Sequence, residues 1–198
     1  IFQNVSMEFE KGNSYGFVGP NGCGKSVFFK TLCGYSLLTE GQVIYRGKII
    51  GKEQDFIDDA GIVIEEPEFI NSLSGLENLK ILAEIQKKIS EAEIIEVLKQ
   101  FDLYEDRNKK VGKYSVGMKQ KLRLAQAVME KPQVLILDEP MNGLDKKSVK
   151  KVEDILKAFV ENGGTLLMTS HIEQQVEACC KIVYEIDGGE ILRVTVLQ

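Results

Sequence analysis

The C-terminal third of the chain constrains the fold most. From Val134 onward it reads apolar run, polar-faced helix, apolar run, helix, apolar run: "VLILD", "KKSVKKVEDILKAFVENGG", "TLLMT", "HIEQQVEACC", "KIVYEI". Strands that are apolar on both faces and alternate with helices form a parallel sheet covered on both sides. Within the long helix Val149, Val152, Leu156 and Phe159 share one face, and Gly163 is placed to stop it. The same logic extends to the start of the chain. Residues 1–20 read as strands, with "SYGFVG" ending in a glycine turn, and residues 25–33 read as a helix stopped by Gly34. Residues 41–64 are strand-like and turn-rich.

Between these two α/β stretches the character changes. "SGLENLKILAEIQ" opens with a capping box, Ser74 with Glu77, and "SEAEIIEVLKQF" with another, Ser90 with Glu93. Ile94, Leu98 and Phe101 then line one apolar helix face. The expected organisation is an α/β core, residues 1–65 plus 131–198, interrupted by a helical subdomain over 66–130.

The bulk properties exclude some classes. A length of 198 residues with 43% hydrophobic content supports one full core with a lobe attached. A net charge of -5 offers no basic field for nucleic acid, and no run approaches the length needed to span a membrane. The chain opens at Ile1, already in a strand-like pattern, so its own N-terminus is expected to lie upstream. Cys23, Cys33, Cys179 and Cys180 show neither a CxxC pair nor metal-ligand spacing and read as reduced thiols.

"GPNGCGKS", Gly19 to Ser26, matches G-x-x-x-x-G-K-[ST] after a strand and before a helix. Gly19, Gly22 and Gly24 let the backbone curl so that N–H groups converge on phosphate oxygens, and the helix start adds partial positive charge. Asn21, Cys23 and Val27 contribute backbone to the same cradle. Lys25 brings a full charge to the β- and γ-phosphates, and the Ser26 hydroxyl is a ligand for Mg2+. In "VLILDE", Asp138 stands at the carboxyl end of a buried strand, where ligands bind in open α/β sheets. Asp138 is expected in the Mg2+ shell, and Glu139 as the general base that polarises the attacking water. His171, the only histidine, follows "TLLMTS" at the same edge and is expected to contact the γ-phosphate. The bland alternatives are a chance lysine in a glycine loop, two solvated acids, and an ordinary histidine at a strand end.

Six segments in order, "GPNGCGKS", "IVIEEP", "YSVGMKQ", "VLILDE", "NGLD" and "TSH", resemble the nucleotide-binding subunit of ABC transporters over nearly the whole chain. The "YSxGMK" form and the acidic "EEP" are most similar to cassettes serving exporters of drugs, peptides or lipids. The resemblance implies an α/β fold: a P-loop NTPase core with a mainly parallel sheet, an N-terminal antiparallel β region and an inserted helical subdomain. It also implies ATP and Mg2+ as cofactors, Lys25, Glu139 and His171 as the catalytic residues, and ATP hydrolysis coupled to transport. The implied partners are a transmembrane permease subunit and a second cassette, packed head to tail as a homodimer or heterodimer. The implied location is the cytoplasmic face of a membrane.

In that arrangement "YSVGM" resembles the family signature, and Ser115 and Gly117 contact ATP held by the other cassette. A serine hydroxyl, glycine N–H groups and a helix start make an anion-binding end, which bears this out chemically; a plain serine cap is the bland reading. Asp145 in "NGLD" corresponds to a loop touching the partner cassette, or merely caps the helix beginning at Lys146. Four departures stand out. Glu65 replaces the family's usual glutamine, where it is expected to bind a metal-held water while adding negative charge. Met118 replaces the signature glutamine. Val27 stands where a Ser or Thr is common. The aromatic residue that stacks on adenine in the family would lie before Ile1. The competing reading is a non-transport or regulatory cassette, a soluble nucleotide sensor; intact Glu139 and His171 argue against it. Cys23, beside Lys25 inside the phosphate loop, is an expected target for alkylation that ATP would shield.

Overall fold

The computed structural model describes residues 2–65 and 69–196. The strands are β1 (Ser14–Val18), β2 (Ile44–Tyr45), β3 (Lys48–Ile49), β4 (Ala60–Val63), β5 (Val134–Leu137), β6 (Thr165–Ser170), β7 (Ile182–Asp187) and β8 (Glu190–Val196). The helices are α1 (Lys25–Cys33), α2 (Gly75–Gln86), α3 (Glu91–Gln100), α4 (Val116–Val128), α5 (Lys146–Glu161) and α6 (Glu173–Cys179). The main sheet has the order β4-β5-β6-β1-β7-β8. Its first five strands run parallel, and β8 returns antiparallel to β7. The mainly parallel α/β sheet expected from the alternating runs is therefore present.

Each face of the sheet has its own apolar layer. On one side Tyr15, Phe17, Ile136, Leu167 and Ile186 pack with Phe28, Phe29 and Cys33 of α1. On the other, Leu135, Leu137, Leu166 and Met168 pack with Val152 and Leu156 of α5 and Val176 of α6. That second layer continues without a break into Leu79, Ile94 and Leu98 of the intervening helices. The helical segment thus shares a core with the sheet. Its closest tie is α4 on β4, where a Cβ on Gly61 would lie 2.0 Å from the Ala127 carbonyl oxygen. Only glycine permits that approach.

The local signals act as expected. Ser74 accepts from the Glu77 N–H while the Glu77 carboxylate accepts from the Ser74 N–H. Ser90 and Glu93 repeat the pair. Gly34 ends α1 in the left-handed conformation, its N–H returning to the Lys30 and Thr31 carbonyls.

One reading needs correction, and one strand was missed. Residues 2–13 carry no strand: the alternation at Met7 and Phe9 reflects burial against the α1 layer, not ladder pairing. Among the described residues the N-terminal antiparallel β region is present as the β2–β3 hairpin. The β8 edge strand was not anticipated, although Gly188 and Gly189, both at positive φ, form the two-residue turn that returns it. Of the "IVIEEP" segment, Glu66 and Pro67 lie outside the described residues, as does the expected boundary at 66.

Candidate nucleotide site

The parallel strands end at one edge, and the candidate residues follow those ends directly. Register pairs Val18 with Ser170 and Leu137 with Met168. The residues just beyond, Gly19, Asp138 and His171, therefore emerge side by side at the carboxyl edge.

Strand β1 leads through the loop at Gly19 to Gly24 into α1. The α1 N-terminus has no side-chain cap, and Gly24 adopts φ 109 there. Its first-turn N–H groups are left for an anion. Lys25 is buried, and its ammonium donates to the Gly19 carbonyl at 2.8 Å and the Pro20 carbonyl at 3.1 Å. The side chain thus folds back over the mouth of its own loop. Cys23 is partly buried and packs under the loop toward the α1 layer, where a Cβ on Gly19 would lie 2.9 Å from its Sγ. Val27 is exposed on α1. An open cavity of about 300 Å³ beside the loop is lined by Val18, Gly19, Pro20, His171, Glu173 and Glu185.

Asp138 is gripped from two sides. The Ser26 hydroxyl donates to its Oδ2, and the Thr169 hydroxyl donates to its Oδ1 at 2.5 Å. Thr169 is fully buried, and its Oγ1 also accepts the Glu139 N–H at 3.0 Å. One hydroxyl therefore orients both acids. Thr169 was not singled out in the sequence, although its place in "TSH", two residues before His171, was the available signal.

Glu139 has a backbone φ of 48°, unusual outside glycine. Its Oε2 lies 2.8 Å from His171 Nδ1, while its Oε1 is buried without a hydrogen-bond partner among the described residues. An unpaired buried carboxylate oxygen at a strand edge is the group a water or polar ligand would satisfy. Strain and an unsatisfied acid on the same residue are features of functional sites.

The remaining candidates make other contacts. Glu65 sits at φ 60°, is mostly exposed, and forms an ion pair with Lys30 on α1. Its carboxylate is thus engaged by a cation rather than by Ser26 or Asp138. Ser115 caps α4, accepting from the Met118 N–H at 3.2 Å. Gly117 is at the first turn of that helix, where an added Cβ would lie 3.1 Å from the Gly143 carbonyl oxygen. Asp145 caps α5, accepting from the Ser148 N–H and hydroxyl, both at 2.9 Å. At both Ser115 and Asp145 the capping role is realised. The Ser148 bonds hold the Asp145 carboxyl below its ordinary range.

The residues fit a hard divalent cation. Ser26 and Asp138 bring a hydroxyl and a carboxylate together and supply oxygens only. Few protein ligands, with the rest from phosphates and water, is the pattern Mg2+ adopts.

Among the described residues no helix is long and apolar enough to cross a membrane. Comparison with known proteins agrees with the geometry. The model of a family described as "ABC transporter" matches residues 2–142. The uncharacterized ABC transporter ATP-binding protein YybJ of Bacillus subtilis (strain 168) is 37% identical over 96% of this chain and 88% of its own length. The lantibiotic transport ATP-binding protein SrtF of Streptococcus pyogenes is 34% identical over 97% of this chain and 82% of its own length. Against the bacitracin transport ATP-binding protein BcrA of Enterococcus faecalis, identity is 32%, and the chain spans only 63% of that protein's length. In fold, the dimeric post-hydrolysis structure of the ATP-binding cassette MJ0796 bound to ADP and Pi matches with a TM-score of 0.89 at 24% identity, covering 100% of this chain and 90% of that one. The chain belongs to the ABC transporter family as an ATP-binding cassette of the ATPase kind.

Proposed function

We propose that this cassette powers export through a membrane permease on the cytoplasmic face of a membrane, by closing head to tail on a second cassette around ATP. One observation carries the chemical part. Asp138 is held between the hydroxyls of Ser26 and Thr169, and Glu139, with one buried oxygen unpaired, stands next to it against His171.

In this reading the backbone from Gly19 through Asn21, Gly22, Cys23 and Gly24 to Val27 wraps the nucleotide phosphates. Lys25 exchanges its contacts with the Gly19 and Pro20 carbonyls for phosphate oxygens. Ser26 and Asp138 hold Mg2+, which supplies charge neutralisation on the phosphates when bound. Glu139 takes the proton of the attacking water at its carboxylate. His171, held by Glu139 Oε2, orients the γ-phosphate from the neighbouring strand end. Ser115 and Gly117 present hydroxyl and N–H groups to ATP held by the second cassette, and Asp145 lies at that interface. Glu65, partly neutralised by Lys30, sits where the core passes into the helical segment over 66–130, which docks the permease. Transport is supported by the names of the lantibiotic and bacitracin transport relatives.

The test compares ATP turnover of the unmodified protein, assembled with its membrane partner, with that of Glu139→Gln. Turnover in the first and its loss in the second are expected. No turnover in the unmodified assembly would refute the motor reading and favour a nucleotide sensor.

A further inference from the structure

The buried polar contacts between α4 and the turn after β5 are not used by any step above. Gln120 lies on the second turn of α4 and is only 5% exposed. Its Nε2 donates to the Pro140 carbonyl at 2.8 Å and leans toward the Glu139 carbonyl at 3.4 Å. Its Oε1 accepts from Arg123 Nη1 at 3.0 Å, which fixes which end of the amide faces the turn. A second contact lies one turn earlier. A Cβ on Gly117 would sit 3.1 Å from the Gly143 oxygen, and one on Gly143 would sit 3.0 Å from Val116 Cγ1. The 139–143 turn is thus held to the first two turns of α4 at two points.

We infer that Gln120 is a positioning residue, which fixes the carbonyls of Glu139 and Pro140 to the helix headed by Ser115 and so sets the aim of the Glu139 carboxylate. The physical ground is the backbone of Glu139. A non-glycine residue at φ 48° persists only where its surroundings over-determine it. Three groups do so: the Thr169 hydroxyl on the Glu139 N–H, the Asn142 N–H on the Glu139 carbonyl, and the Gln120 amide on the Pro140 carbonyl. The Thr169 anchor belongs to the sheet and is stationary. The Gln120 anchor belongs to the helix whose N-terminus meets the second cassette. Any tilt of α4 on engaging that cassette therefore moves the Glu139 turn against its own strand. The polar tie gives that motion a direct path to the catalytic acid.

This inference rests on the proposed ATPase cycle, so its test reads both. Gln120→Leu keeps size and removes the amide; Gln120→Glu keeps an acceptor for Arg123 and removes the donor to Pro140. In the assembly with its membrane partner, both variants are expected to keep the KM for ATP within a fewfold and lose kcat by about tenfold to a hundredfold, the scale of a misplaced catalytic group. In the separate protein, hydrogen–deuterium exchange at the Asn142 and Leu144 amides, which close the turn onto Glu139 and Met141, should rise in both variants while α5 stays protected. An unchanged kcat and unchanged exchange overturn the inference, as does a fall in kcat matched by a rise in KM. A loss of kcat with unchanged exchange also overturns it, because the effect would not run through the turn. Absence of turnover in the unmodified assembly would instead remove the cycle on which the inference rests. The exchange result still decides whether Gln120 holds the turn.

Discussion

Thr169→Val isolates the hydroxyl that orients both acids. Valine fills nearly the same space at a position that is fully buried, so no cavity forms and the change is chemical rather than steric. Two hydrogen bonds go: the 2.5 Å donation to Asp138 Oδ1 and the 3.0 Å acceptance from the Glu139 N–H. A bond to a charged acceptor contributes roughly 1.5–3 kcal/mol, and a buried N–H left unpaired costs roughly 1–3 kcal/mol. Both share one oxygen and do not add fully, so a loss of about 2–4 kcal/mol is expected. For a domain of this size each kcal/mol lowers the midpoint by roughly 2–4 °C, which predicts a fall on the order of 10 °C in calorimetry. Thr169→Ser keeps the hydroxyl, gives up one methyl, and is expected to lose only about 3 °C. The Mg2+ concentration that half-saturates ATPase activity should rise in the valine variant and hold in the serine variant. A valine variant melting within about 2 °C of the parent, or a serine variant as damaged as the valine one, would refute the reasoning.

Glu139→Gln should cut ATP turnover by about 10²–10⁴-fold with ATP affinity held within a fewfold; a threefold loss or less would deny it the role of base. Alkylation in the native state at pH 8 should label partly buried Cys23 ahead of buried Cys33, Cys179 and Cys180, with ATP protecting it; full ATPase activity after verified labelling of Cys23 would end that idea. Burial pushes the Cys33 and Cys179 thiols up to about 12 from 9.0. Acids with raised folded-state pKa values contribute stability that is complete below the unfolded value and lost as pH rises toward the folded one. The urea midpoint should thus be flat from pH 7 to about 9 and fall between about 9 and 12, and a midpoint unchanged at pH 11 would contradict this. Gly61→Ala forces a Cβ to 2.0 Å from the Ala127 oxygen. It should destabilise the chain by about 1–3 kcal/mol by denaturant titration, and a variant as stable as its parent would show that α4 yields freely at β4.

Legibility followed the range of the interaction. Capping boxes, the Gly34 stop and the buried faces at Ile94, Leu98, Val152 and Leu156 are local, and the sequence pattern located them. The phosphate loop, Asp138, Glu139 and His171 were visible because each follows a strand end, and a parallel sheet brings strand ends together. What stayed hidden depends on which groups meet across the sheet. Nothing local marks Thr169 as the donor to an acid 31 residues away, or Lys30 as the partner of Glu65 at a separation of 35. The alternation at Met7 and Phe9 misled for a related reason. Period-two burial requires only an extended chain against an apolar surface, whereas a strand also needs a neighbour for its N–H and C=O groups.

The two capping residues, Ser115 and Asp145, show how a structural role and a ligand role coexist unequally. Ser115 Oγ spends one lone pair on the Met118 N–H. A hydroxyl used this way keeps its proton to donate, and the helix N-terminus behind it favours an anion on that side. The cap itself therefore points the donor outward. Asp145 differs because both its oxygens are engaged by Ser148. An acceptor-only group of negative charge has nothing to offer a phosphate, so its part at an interface must be with donors and cations. The contact of Gly117 with Gly143 places these two loops against each other within one chain. A partner reaching them meets an anion-seeking helix end and an anionic cap side by side. In the proposed head-to-tail closure, that pairing of opposite characters would give the face one orientation toward a nucleotide held by the second cassette. On the same proposal Met118, whose backbone N–H is spent inward on Ser115 Oγ, leaves the serine hydroxyl and the glycine backbone as the donors that would face the nucleotide.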